Sequence, residues 1–162
     1  MRRTVFATLA PLAAFALAAC NPMENLSEAE DQIDRFHTHY DFGEFQDMYQ
    51  MTSPAFRKAS SPEDFKKLAD VITARLGSIK STERVNFNVN TTPAGTQTII
   101  TMQTIFEQGN GSEVFTFAGN GEDMKIQGWT VNSDRLMVTA EDLEAIDSAG
   151  KQPPVAVMSA PR

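Results

Sequence analysis

From Ser27 onward the chain changes hydrophobic period once, and the change divides it into a helical half and a strand half. In the first half, Ile33, Phe36 and Tyr40 recur at spacings of three and four, the stripe by which a helix faces a core. Ser27 with Glu30 three positions on forms a capping box, so this helix is expected to open at Ser27 and to break at Asp41-Phe42-Gly43. A shorter helix with Phe45, Met48 and Tyr49 on its inner side follows and ends before Ser53-Pro54. The third is the most fully punctuated: Ser61 as cap, Pro62 in the first turn, Asp64 completing the cap and Gly77 at the stop, with Phe65, Leu68, Ile72 and Leu76 as its seam.

Beyond Gly77 the period falls to two. Val85, Phe87 and Val89 alternate with Arg84, Asn86, Asn88 and Asn90, a strand expected to bury one face and wet the other. Pro93-Ala94-Gly95 reads as a turn, and Thr96 to Phe106, apolar on both faces in its middle, as a central strand. Asn110-Gly111 and Asn120-Gly121 read as hairpin turns, because both positions of that turn type need positive φ. They delimit strands over Ser112 to Ala118 and Met124 to Val131, with Phe115, Phe117, Trp129 and Val131 as core residues. Thr139 to Ile146 has the pattern of one more short helix, and from Ser148 the small, proline-rich sequence offers no seam and reads as a disordered tail. The expected fold class is α+β: N-terminal helices packed on a curved antiparallel four-stranded sheet, a cone-shaped roll over residues 27–147, with residues 148–162 outside it.

The first residues belong to another problem. Arg2 and Arg3, an uncharged stretch from Thr4 to Leu17 and the small pair Ala18-Ala19 have the three parts of an export signal, too short and alanine-rich for a spanning helix, which needs about 20 apolar residues. Leu17-Ala18-Ala19-Cys20 closes it with the only cysteine of the chain. This stretch resembles the lipobox of bacterial lipoproteins. The resemblance implies cleavage between Ala19 and Cys20, a thioether-linked diacylglycerol on Cys20 and an acylated (palmitate-type) amino terminus. It places the protein on the periplasmic face of a bacterial cell envelope; Asn21, where enterobacterial lipoproteins kept at the inner membrane have aspartate, favours the outer membrane. Residues 1–19 are then a signal peptide and residues 20–26 a lipidated tether, whose part from Asn21 to Leu26 spans about 20 Å extended.

Charge narrows the partners. The 14 basic and 21 acidic residues give a net charge of −7, and removal of Arg2 and Arg3 with the signal takes it to −9. Such a surface excludes nucleic acid, which calls for a basic face, and leaves the acyl chains as the membrane contact. A cationic protein partner is the direction the charge allows. With Cys20 acylated no internal disulfide is available, so packing alone stabilises the domain.

Candidate chemistry is sparse. His37 and His39 lie two apart on a helix and point to different sides, so they read as surface histidines, not a metal pair. Glu107 and Glu113 read as solvated carboxylates at strand ends beside a turn. No nucleophile elbow or phosphate loop is present, and the reading names no catalytic residue, metal or cofactor. Asn86, Asn88 and Asn90 line one strand face, able to hydrogen-bond sugars or peptide backbone but more simply its wet side. Tyr40, Tyr49 and Trp129 are the candidate rim of an apolar cavity between helix and sheet.

Asp41-Phe42-Gly43-Glu44-Phe45 with Met48-Tyr49, Ser53-Pro54-Ala55-Phe56-Arg57, Phe65 to Leu76-Gly77 and Trp129-Thr130-Val131 together resemble the nuclear-transport-factor-like and cystatin-like superfold, and within it bacterial lipoproteins that carry it. The resemblance spans Ser27 to Arg135 and implies a helix-wrapping sheet with no particular activity. The preferred expectation is a lipid-anchored, non-enzymatic module binding a small apolar ligand in its cone or a protein on its sheet. The alternatives are an immunity or inhibitor lipoprotein against a basic cell-wall hydrolase, and a small isomerase or dehydratase of the steroid-isomerase type.

Overall fold

A computed structural model describes residues 22–137. The expected helix over Thr139 to Ile146, the tail and the signal peptide with Cys20 lie outside the described residues. Four helices come first: α1 (Pro22–Asp41), α2 (Phe45–Gln50), α3 (Pro54–Ala59) and α4 (Pro62–Leu76). Four strands follow, β1 (Ile79–Thr92), β2 (Gly95–Phe106), β3 (Gly109–Ala118) and β4 (Lys125–Asn132), with 3-10 turns at Gly121–Asp123 and Asp134–Leu136. The strands pair antiparallel in chain order, β1-β2-β3-β4, into a curved sheet that does not close. The α+β class read from the period change is the class observed.

Where α1 begins corrects the sequence reading. The chain is already helical at Pro22, the first described residue and five before Ser27, which therefore lies inside the helix; Asn25 and Leu26 are buried. The reason is tertiary. Leu26 and Ala29 extend the Ile33–Phe36–Tyr40 stripe by two turns, and the Asn25 amide donates to Asn120 Oδ1 (3.0 Å) and accepts from the Gly121 backbone (3.2 Å). Residues 22–26 are thus part of the fold, not of a tether. Helix α4 follows its signals closely: Ser61 accepts from the Asp64 N–H, Pro62 starts the helix and Gly77 stops it at φ +75°. Helix α3 was not expected at all; Ser53 caps it by accepting from the Phe56 N–H. The link from α2 to α3 is held against β4, with the Ser53 N–H on the Ile126 carbonyl at 2.7 Å.

The turns differ in a similar way. Asn110-Gly111 is not a hairpin turn but lies within β3, and the chain reverses at Glu107-Gln108. Gly111 is needed for space instead: a Cβ there would meet the Phe106 ring at 3.0 Å. Asn120-Gly121 does fall in a connection, but one lengthened by the 3-10 turn to Asp123.

Helices cover one face of the sheet. Its core positions are the even residues of β2 and the odd residues of β3, including Ile100, Met102, Phe106, Phe115 and Phe117, with Ile126 and Trp129 from β4. Against them α1 sets Ile33, Phe36 and Tyr40, and α4 sets Phe65, Ile72 and Leu76. The seam residue Leu68 is only partly buried. The edge strand β1 overturns its expected burial: Val85 is 58 % and Phe87 39 % exposed. A bulge between Arg84 and Asn86 takes Val85 out of register, and β1 is an edge strand paired on one side only, by β2.

Candidate functional site

Strand alternation buries a charged side chain in the covered face. Glu113 shares its parity on β3 with Phe115 and Phe117, and it is 0 % exposed. Opposite it, His37 follows Phe36 on the inner side of α1 and is 6 % exposed, with its Nε2 3.0 Å from Glu113 Oε2. The Thr104 hydroxyl donates to the same oxygen from the neighbouring strand, and the Trp129 indole N–H donates to Oε1 at 2.9 Å. The imidazole is close to the carboxylate but not aligned as a hydrogen bond, and its Nδ1 has no hydrogen-bond partner. Both residues correct the sequence reading, which put His37 at the surface and Glu113 among solvated carboxylates.

Electrostatics follow from this placement. Burial pushes the Glu113 carboxyl up, but the contact and charge of His37, with the Thr104 and Trp129 donors, outweigh it and hold the carboxyl below its usual range. One helical turn along, Tyr40 donates its hydroxyl to the Gly77 carbonyl at 2.9 Å. Its pKa is pushed up to about 12, chiefly by burial, with the Glu113 and Asp41 carboxylates adding and the Thr73 hydroxyl opposing.

Tyr40, Tyr49 and Trp129 were expected around a cavity mouth, and all three are core residues. Trp129 packs edge-on to Phe36 at 4.9 Å and lies 6.3 Å from Phe65, while Tyr49 donates to the Ser60 carbonyl at 2.8 Å. Where an apolar hollow was anticipated, rings and the His37–Glu113 pair occupy the space.

His39 takes the other side of α1, as its spacing from His37 requires. Its Nδ1 lies 2.7 Å from Glu44 Oε2 across the Gly43 turn, and Asp47 brings the potential ligand atoms of the three to within 4.8 Å of one another. This trio is the grouping among the described residues with metal-ligating chemistry. It is open to water, and the Glu44 carboxylate is engaged by the imidazole.

The sheet's second face is the larger surface. Pairing places Asn86, Asn88 and Asn90 beside Thr101, Ile99 and Gln97, and these beside Val114, Thr116 and Ala118. Farther along, Ser81, Glu83, Gln103 and Ile105 line a shallow hollow on this face. Amides, hydroxyls and small aliphatic groups make up the face, with Glu83 and Lys125 its charged members. The asparagine row is therefore where alternation put it, and no described helix lies over it. The acidic groups gather elsewhere: Glu24, Glu28, Glu30, Asp31 and Asp34 all lie on α1. Comparison with models of known families and with characterised protein sequences finds no match to the chain.

Proposed function

We propose that the chain is a lipid-anchored lipoprotein of the bacterial envelope, acylated on Cys20, whose folded part is a non-enzymatic interaction module presenting the open face of its sheet to a protein partner. One observation carries the reading: the two faces of the same sheet differ, one sealed by helices over packed rings, the other four strands wide with no described helix over it. A small apolar ligand in the cone loses its motivation, since side chains fill that volume. The Leu17-Ala18-Ala19-Cys20 stretch supports the anchor, and the superfold resemblance agrees with a role free of chemistry. A cationic partner, including the basic cell-wall hydrolase of an immunity pair, would address α1, where the carboxylates are, rather than the nearly uncharged sheet face.

Mass spectrometry of the natively expressed protein tests the anchor, with a diacylglyceryl, acylated Cys20 and no residues 1–19 as the expected result. A photo-crosslinking side chain at Asn88 or Gln103 should then capture one partner in envelopes. Capture only from Asp34 on α1 would overturn the sheet assignment in favour of the cationic partner.

A second reading has one observation in its favour. A steroid-isomerase-type enzyme needs a carboxylate or histidine facing inward, and Glu113 with His37 is such a pair. General base work also needs contact with substrate, whereas Glu113 is fully buried with its oxygens against Thr104, Trp129 and His37. Turnover of a small carbonyl substrate that Glu113→Gln abolishes, with folding retained, would establish this reading over the first.

A further inference from the structure

The two ends of the domain are not equivalent with respect to a lipid on Cys20. Helix α1 is already formed at Pro22, the first described residue, so no more than about 7 Å of extended chain can lie between Cys20 and rigid structure. The start of α1 is fixed to one end of the sheet through Asn25, Asn120 and Gly121. The β1–β2 turn at Pro93-Ala94 lies at that same end, because Gln97 pairs with Ala118 and Ala118 with Lys125. The helix then runs alongside β2 for 20 residues, about 30 Å, to the opposite end. There Asp41 accepts from the Ile79 N–H, Tyr40 meets Gly77, and Arg135 Nε donates to the Gln108 carbonyl.

We infer that the end of the domain formed by the start of α1, the Pro93-Ala94 turn and the Gly121–Asp123 turn faces the bilayer, with the strands standing away from it. This rests on the lipid-anchor reading above. Charge decides the tilt. Laying the domain on α1 would press Glu24, Asp31 and Asp34 against an anionic surface, which costs free energy for each charge brought close. The membrane-facing end itself carries Glu24, Glu122 and Asp123 against Lys125, so the acyl chains and the short link hold it there, not charge attraction. Two consequences follow. The open sheet face points sideways along the membrane plane, and Met137, the last described residue, lies at the far end, where the Asp134–Leu136 turn sits against Gln108 and Asn110.

The test uses the acylated full-length protein in vesicles of phosphatidylethanolamine and phosphatidylglycerol containing headgroup nitroxide lipid. Because Cys20 is the only native cysteine and is consumed by the lipid, Ala94→Cys and Gln108→Cys, both exposed, each take a single fluorophore. Quenching at position 94 should exceed that at 108 several-fold, and a 20-residue Gly/Ser insertion after Asn21 should abolish the difference. Equal or reversed quenching in protein whose mass shows the lipid overturns the orientation alone. A mass without lipid on Cys20 overturns the anchor and the orientation with it.

Discussion

Helix α1 carries two histidines two residues apart, and each meets a glutamate, but the two pairs live in different physical worlds. His37 and Glu113 come together across the core from elements far apart in sequence, with side chains 8 % and 1 % exposed. His39 and Glu44, five residues apart, meet across the Gly43 turn, 31 % and 48 % exposed. The same chemical groups therefore have opposite weights. Water screens the second pair and solvates either partner if the other is lost, whereas nothing replaces the partners of Glu113.

The largest effect should come from Glu113→Ala, which strands the Trp129 indole N–H, Thr104 and His37 inside the core. A loss of about 3–5 kcal/mol is expected in urea unfolding, the cost of removing one partner from a buried pair; a loss under about 1 kcal/mol would show that the contacts contribute little. The same carboxylate sets the acid limb of stability. Its folded pKa lies below its usual value of 4.5, so its contribution is complete above that value and is lost as the pH falls through the depressed one. Glu113→Gln should flatten this slope in the acid range, as read from melting temperatures at a series of pH values.

Trp129→Phe sharpens the comparison by removing one donor while keeping a ring. With the Oε1 oxygen left short of a partner, about 1.5–3 kcal/mol should be lost, the range for a hydrogen bond to a charged group. Glu44→Gln closes the series. Its effect should stay within about 1 kcal/mol and shrink further in salt, as for other exposed ion pairs. If Glu44→Gln proved as damaging as Trp129→Phe, burial would not be what separates the two pairs.

Much of this core was legible from spacing. Ile33, Phe36 and Tyr40 are buried as their stripe required, and Ser61, Pro62 and Gly77 bound α4 as their chemistry dictates. The site was less legible, although its signals were present. Glu113 has the parity of Phe115 and Phe117, and His37 lies four residues after Ile33 and three before Tyr40. Asn110-Gly111 has the composition of a hairpin turn, which would leave Glu113 at a strand end, yet it lies inside β3. The two-residue spacing of His37 and His39 excludes a shared metal ion but leaves His37 on the apolar stripe.

By itself the sequence determined what depends on near neighbours: the change of period at Gly77, the cap and stop of α4, the alternation of β2 and β3 and the composition of the stretch ending at Cys20. These are properties of short stretches, set by backbone geometry and the reach of a side chain to its own main chain. Only the tertiary structure decided that α1 extends back to Pro22, that β1 is an edge with Phe87 half open, and that Glu113 is sealed against His37. Each of those outcomes depends on which distant surface covers a residue, and burial is a property of the pair in contact, not of either segment alone.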